Sequence, residues 1–264
     1  ENIIGATGGG IIKLDNKIEL IKDNLSNLNL SLVNVDNKGF IWAVSNSLNS
    51  SIQVFDSNYN LIYDSIYSLP DLESIIDFEF GESKVFAVYK DINDIGILEF
   101  NNENNIPYYT DYYNSSDFPG DIDEITDIDL YSDNIYVTTD QGVYVANFNQ
   151  SNLNLSSSWT LIPFEAFIDN LDILFLHRVD LGFYLTTSNK VYFCSTDFIA
   201  TLVLEFNSTP IDIKQSNENQ LFCTIKDCYN FNGSNYELFY QSNNSYIIND
   251  YYLTDEDLFL AINN

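Results

Sequence analysis

The stretch ITDIDLYSDNIYVTTDQGVYVANFNQSNLNLSSSWTLIP, residues 125–163, decides the fold. Apolar and polar residues alternate in ITDIDLY, NIYVTT and VYVANF, and WTLIP ends the stretch. The short turns SD and DQG separate the first three segments. Period-2 strands joined by turns of Gly, Asn and Asp are typical of β-hairpins, so four in succession predict a four-stranded antiparallel meander.

The same order of four strands recurs along the chain. An aromatic residue in each second strand marks the repeat, and these residues are Trp42, Phe86, Tyr136, Tyr184, Phe222 and Phe259. Successive residue numbers in this set differ by 37 to 50, which is the period expected of a propeller blade. We therefore predict an all-β fold, a β-propeller of four-stranded antiparallel blades, with residues 1–264 forming a single domain.

The repeat divides the chain into five complete blades and two incomplete ends. The divisions are a partial blade at 1–30, blades at 31–72, 73–121, 122–165, 166–208 and 209–245, and closing strands at 246–264. We predict six blades, closed by pairing of the strand at 246–253 with the strand at Asn2–Ala6, because closure from both ends removes exposed sheet edges. The strand LFLAIN is then redundant, so a chain cut from a seven-bladed propeller is the alternative.

The charge of the chain disfavours several classes of partner. Lys and Arg number 10 against 39 Asp and Glu, a formal charge of −29. Such a surface repels nucleic-acid phosphates and anionic lipids, and the sequence has no run of 18 apolar residues for membrane insertion. It attracts cations and basic partners, although uniform acidity also serves solubility alone.

Motifs that carry chemistry are scarce. Gly5-Ala-Thr-Gly-Gly-Gly10 aligns with Thr139-Asp-Gln-Gly142, so it is predicted as a hairpin turn and not as a phosphate loop, which requires a following helix. His177 and Arg178 are the only His and Arg, and one Arg cannot form the arginine cluster of sialidase-type propellers. Paired carboxylates could still hide in so acidic a chain, which leaves a glycoside hydrolase or lyase as the alternative function.

Cys223 and Cys228 are predicted to face each other across a hairpin of the sixth blade. Cross-strand neighbours come close enough for a disulfide in an oxidising exterior. Two buried thiols are the favoured state, with the disulfide as the alternative, and the spacing does not resemble a zinc site.

An Asp or Asn occurs at a fixed place in the first strand of each predicted unit. The set comprises Asn34, Asp77, Asp127, Asp172, Asp212 and Asn249. Because the first strand of a blade is the innermost, equivalent positions form a ring about the axis. We predict that this ring binds a ligand or a cation, with Ca²⁺ as the candidate ion and no other cofactor. The alternative is structural: each Asp hydrogen-bonds a turn or the backbone of the neighbouring blade.

The segment Val35-Asp-Asn-Lys-Gly-Phe-Ile-Trp-Ala-Val44 resembles the two-component regulator propeller repeat, whose blades carry a D-x-x-G-x-I-W-[VI]-G-T segment. Ala43-Val44-Ser45 departs from the usual V-G-T end. Ile3-Ile-Gly-Ala-Thr-Gly-Gly-Gly-Ile-Ile12 and Val137-Thr-Thr-Asp-Gln-Gly-Val143 resemble the turn that follows. The chain as a whole is similar to the PorZ-type N-terminal β-propeller domain of type IX secretion-associated proteins.

This resemblance implies a non-catalytic, exported bacterial propeller within a longer multidomain chain. We expect a ligand-recognition or protein-interaction module of a surface or periplasmic sensor, or of a secretion-associated protein. The expected location is secreted, at the cell surface or in the periplasm. The expected ligand is a protein or a carbohydrate, and the resemblance assigns no catalytic residue.

Overall fold

The structure is a computed structural model of the chain. It describes residues 3–7, 9–14, 18–45, 51–65, 72–103, 106–164, 173–197, 199–216, 219–232, 235–242, 247–253 and 258–263.

Five antiparallel sheets of four strands form the centre of the fold, and each follows the chain in order. Blade 2 comprises β4 (Leu30–Val35), β5 (Ile41–Ser45), β6 (Ile52–Phe55) and β7 (Leu61–Asp64). Blade 3 comprises β8 (Ser74–Phe80), β9 (Lys84–Lys90), β10 (Ile95–Asn101) and β11 (Tyr108–Asn114). Blade 4 comprises β12 (Ile125–Tyr131), β13 (Asn134–Thr139), β14 (Gly142–Asn147) and β15 (Thr160–Leu161). Blade 5 comprises β16 (Ile173–Val179), β17 (Gly182–Thr187), β18 (Lys190–Ser195) and β19 (Ala200–Glu205). Blade 6 comprises β20 (Pro210–Ser216), β21 (Asn219–Thr224), β22 (Asp227–Asn232) and β23 (Asn235–Gln241).

Two smaller sheets flank these blades. The first sheet contains β1 (Ile3–Thr7), β2 (Gly10–Leu14) and β3 (Ile18–Ile21), and the terminal sheet contains β24 (Ile247–Leu253) and β25 (Leu258–Asn263). The prediction of six blades, with the sixth closed by strands from both ends, is therefore wrong: the described strands form five complete blades. The predicted pairing of the 246–253 strand with Asn2–Ala6 is also wrong, because β24 pairs with β25 and β1 pairs with β2. LFLAIN is thus the partner of β24 and is not redundant.

Two of the glycines that the sequence singles out, Gly10 and Gly142, end hairpin turns and begin the next strand. Thr7 pairs with Gly10, as Thr139 pairs with Gly142, which confirms that the glycine-rich segment is a hairpin. Both glycines have positive φ, 130° at Gly10 and 115° at Gly142. A Cβ at Gly10 would also lie 2.4 Å from the carbonyl oxygen of Ile21, so glycine is required there by both the backbone conformation and the space.

The hydrophobic core lies between neighbouring sheets. Apolar side chains of blades 3 and 4 form one cluster and those of blades 2 and 3 another. Five of the aromatic residues that mark the repeat are buried, each with 0 to 8% of the residue exposed: Trp42, Phe86, Tyr136, Tyr184 and Phe222. These five residues pack between neighbouring sheets, where their side chains link one blade to the next.

Lys84 joins blade 3 to blade 4 through a polar network. Its Nζ lies 2.9 Å from Glu99 Oε1 and donates to the carbonyl oxygen of Phe148 at 3.1 Å. Tyr113 donates its hydroxyl to the same buried carboxylate. Because Glu99 is both paired and hydrogen-bonded, its charge is compensated inside the protein.

Cys223 and Cys228 form a disulfide, with an S–S distance of 2.10 Å, so the expectation of two buried thiols is wrong. They are direct register partners on β21 and β22, as the hairpin prediction requires. Both are fully buried against Ile248 of the terminal sheet. Cys194 is a free thiol, and its burial raises its pKa to about 11.

Candidate functional site

The first strands of the five blades and of the terminal sheet are here called the inner strands. They lie side by side in the order β4, β8, β12, β16, β20 and β24. Every one of these inner strands contains one β-bulge against its partner, at the same place. The residue after the bulge defines a first level: Leu32, Asp77, Asp127, Phe175, Asp212 and Asp250. The residue two positions after each first-level residue defines a second level: Asn34, Glu79, Asp129, His177, Lys214 and Tyr252.

The bulge divides the predicted polar ring between positions that are not equivalent. Asp77, Asp127 and Asp212 share the first level as predicted. Asn34 belongs to the second level. Asn249 is the extra residue of its bulge, since the register passes from Ile248 to Asp250. Asp172 lies outside the described residues.

The register also identifies inner-strand residues that the predicted ring omits. Glu79 and Asp129 follow Asp77 and Asp127 by two residues, so period-2 alternation puts them on the same side of their strands. His177 and Lys214 occupy the second level of the next two blades. The alternation itself is the signal that could have found this second level in the sequence.

Inner-strand carboxylates accept hydrogen bonds from the backbone of the following blade. Leu176 of β16 donates its N–H to Asp127 Oδ2 at 2.8 Å. Arg178 of β16 donates its N–H to Asp129 Oδ2 at 2.5 Å. In the same way the N–H of Leu130 donates to Glu79.

These bonds have a physical reason. An inner strand is the edge of its sheet, so alternate N–H groups point away from the sheet and need acceptors. A carboxylate from the previous blade supplies one. The structural alternative for the polar ring is therefore observed at Asp127, whereas Asp212 accepts from the adjacent N–H of Ile213 at 2.6 Å.

The carboxyls are close enough to influence one another's ionisation. Burial raises the pKa of Asp77 to about 6, the nearby N–H of Phe78 and the charge of Lys214 lower it, and Asp129 adds to the rise. Burial, followed by the charges of Asp129, Asp77 and Asp212, holds the pKa of Glu79 well above its ordinary value.

The blade 4 carboxyls show the same pattern. Burial and then the charges of Asp77 and Asp212 hold the pKa of Asp127 well above its ordinary value, against the bond from Leu176. Burial also raises the pKa of Asp129, and His177 opposes that rise. Asp77, Glu79, Asp127, Asp129 and Asp212, here called the inner carboxyl group, therefore act as one electrostatic unit drawn from blades 3, 4 and 6.

The lone Arg and the lone His both belong to this region. Arg178 Nη1 donates to the carbonyl oxygen of Gly182 at 2.5 Å, and its guanidinium lies 4.3 Å from the ring centroid of Tyr131 and 4.7 Å from that of Phe183. His177 Nδ1 lies 3.9 Å from Asp129 Oδ2. The guanidinium is thus held by the protein itself, in an arrangement unlike an arginine clamp for a carboxylate ligand.

Two further tests concern metals and membranes. Across the described ranges, no three side chains of His, Cys, Asp or Glu are grouped so as to hold a metal ion. The described part of the chain also has no helix with the length and apolar character needed to cross a bilayer.

The fold defines a class of protein, the β-propellers with four-stranded antiparallel blades. No family model and no curated protein matches the chain. Solved structures do match it. The AfRom2 CNH domain has a TM-score of 0.62 and 11% identity over 99% of this chain and 90% of that chain.

Two other solved structures are informative about the setting of such folds. The extracellular domain of BT4673, a proposed one-component system from B. thetaiotaomicron, has a TM-score of 0.62 and 15% identity. The match covers 89% of this chain and 31% of that chain. YCF48 bound to D1 peptide has a TM-score of 0.57 and 12% identity, over 89% of this chain and 75% of that chain. Identities this low show the propeller fold alone.

Proposed function

We propose that this propeller is a non-catalytic recognition module of an exported protein, either a sensor or a secretion-associated component. Two observations support an exported setting. BT4673, which has the same fold, is an extracellular domain, and the Cys223–Cys228 disulfide is of a kind that persists in oxidising compartments.

The observation that carries the proposal is the state of the inner carboxyl group. Glu79, Asp127 and Asp129 hold the following blade through its backbone N–H groups. Carboxylates that hold neighbouring blades together in this way are poorly suited to exchange protons with a substrate or to form a covalent bond with it. Yet the charges of neighbouring carboxyls in the group raise the pKa of Asp77, Glu79 and Asp127, so a positive group from a partner would relieve that repulsion.

We take the ligand to be an organic cation, such as a lysine or arginine side chain of a partner. A calcium ion requires six to eight oxygen ligands, and several oxygens of this group already accept backbone hydrogen bonds. An ammonium group needs only about three acceptors. Asp77, Asp127 and Asp212 at the first level, with Asn34 at the second, are the proposed contacts, and the assignments of Asp172 and Asn249 stay predictions.

Thermal unfolding at pH 7.5 tests the proposal. The probes are a ten-residue peptide with four lysines, its acetyl-lysine twin, and calcium chloride. At a tenfold excess over Kd, binding to the folded state adds about 1.4 kcal/mol and raises Tm by about 2 to 4 °C. We expect the lysine peptide to raise Tm in the native protein and not in Asp77→Asn/Asp212→Asn.

The matched control is Asp121→Asn/Asp123→Asn, which removes two exposed carboxylates and the same amount of charge. It should keep the response. Equal responses to both peptides, or an equal loss in both variants, would overturn the cationic site. If the native protein released sugar products from oligosaccharides and Asp127→Asn did not, that result would instead establish a hydrolase or lyase.

A further inference from the structure

The outer strand of blade 6 carries three exposed apolar side chains within four residues. Tyr236 is 50%, Leu238 48% and Phe239 60% exposed. These three residues are called the β23 surface. Adjacent large apolar side chains at this exposure mark an interaction surface more often than isolated ones do.

A β-bulge gives Phe239 its exposure. Outer strands of four blades contain a bulge, and the extra residues are Ile62, Thr110, Val203 and Phe239. Ile62 is half-buried, Val203 is buried and Thr110 is polar. Phe239 alone in this set is a large apolar residue turned to solvent, and bulges are places where a strand re-aims a side chain.

The backbone beside this surface is a strand edge. β23 pairs on one side with β22, and its ladder is continuous from Asn235 to Leu238 before the bulge. Among the described strands, none pairs with its other side. An edge of this kind can accept an added strand, with main-chain hydrogen bonds supplying affinity and alternate side chains supplying selectivity.

The register specifies the chemistry of that strand. Tyr236 and Leu238 are opposite Phe231 and Tyr229 on one face of the sheet, while Glu237 lies on the other. A complementary segment therefore needs apolar residues toward Tyr236 and Leu238 and a basic residue toward Glu237. A second copy of this chain is a poor occupant, because each copy has a formal charge of −29 and the two repel.

We propose that the β23 surface binds an extended segment of a partner protein, with alternating apolar and basic residues, as an added strand along Asn235–Leu238. Phe239 packs against the end of that segment. This inference rests on the proposed role in recognition, but it places the partner at the rim of blade 6, away from the inner carboxyl group.

Fluorescence anisotropy with a labelled eight-residue peptide of alternating lysine and valine tests the inference. A twin peptide N-methylated at every residue keeps the side chains and charge but loses all of its amide donors. We expect the twin to bind at least tenfold more weakly. We also expect Leu238→Thr/Phe239→Ser to weaken binding at least tenfold, and the control Leu181→Ser/Leu202→Thr, at exposed sites on blade 5, to change it less than twofold.

Hydrogen exchange on the native protein supplies a measurement that does not depend on any variant folding. The peptide should slow exchange of the amides at 235–241. Slowed exchange at the inner strands instead would overturn the β23 inference while leaving the proposed function intact. Equal binding of the N-methylated twin, or no binding at millimolar peptide, would also overturn it.

Discussion

Asp36 connects blades 2 and 3 through a buried carboxylate, and its removal should be among the most damaging polar substitutions in the chain. The residue is 4% exposed. Its Oδ1 accepts the N–H groups of Lys38 and Phe40, each at 2.9 Å. Its Oδ2 accepts Trp42 Nε1 at 3.1 Å and, from blade 3, Asn102 Nδ2 at 2.8 Å.

The expected loss follows from the donors that Asp36→Ala leaves behind. Trp42 and Asn102 are both fully buried, so their donors cannot turn to water. Each unsatisfied buried donor costs about 1 to 3 kcal/mol. The two together predict a loss of about 2 to 6 kcal/mol in the free energy of unfolding.

Asp56 provides a matched control. Its carboxylate accepts the N–H of Asn58 at 2.8 Å, the N–H of Asn60 at 2.9 Å and Asn60 Nδ2 at 2.9 Å, but these groups are exposed. Water replaces the lost bonds there, so Asp56→Ala should cost far less. Urea unfolding of both variants gives the comparison. Equal losses, or a loss below about 1 kcal/mol for Asp36→Ala, would refute the reasoning.

Three other substitutions give independent tests. Because burial raises the pKa of Asp77 to about 6, the folded state binds a proton more tightly than the unfolded chain, and stability falls as pH rises toward 6. Asp77→Asn should therefore remove about 1.4 kcal/mol of the difference in unfolding free energy between pH 5 and pH 7.5, whereas the control Asp121→Asn should not. Urea unfolding at both pH values measures this difference, and equal behaviour of the two variants would contradict the prediction. Cys223→Ser/Cys228→Ser should lose about 2 kcal/mol under oxidising conditions, and equal stability of the reduced native protein and the variant would attribute the loss to the disulfide. Trp42→Ala, at a fully buried site, should lose about 3 to 5 kcal/mol, and a loss below about 1 kcal/mol would argue against packing between blades.

Sequence periodicity predicts the strands and the complete blades well because each hairpin is encoded locally. Residues 125–163 contain strands and turns that need no distant partner to be recognised. The blade count depends instead on how the ends meet. The sequence predicts that β24 pairs with β1 across the ring, whereas β24 pairs with β25, the next strand in the chain.

The candidate site was predicted only in part, for a different physical reason. A single bulge shifts the register by one residue, so a polar residue in a first strand can lie before, within or after it. Asn249 lies within the bulge of its strand, whereas Asn34 lies two residues beyond the position that Asp127 occupies. Likewise Phe222 is opposite Ile213, whereas Tyr136 is opposite Asp129, one position further along. Bulges depend on pairing geometry, and the residues themselves give little sign of them.

Carboxyl ¹³C NMR titration of Asp77 tests most directly whether the inner carboxyls form one electrostatic unit able to receive a cation. We expect a pKa of about 6 in the native protein. Asp129→Asn should lower that pKa, because a negative neighbour is lost, and Lys214→Met should raise it, because a positive one is lost. Added lysine peptide should lower it as well. An Asp77 pKa that is near 4, or that neither variant nor the peptide moves, would contradict the account.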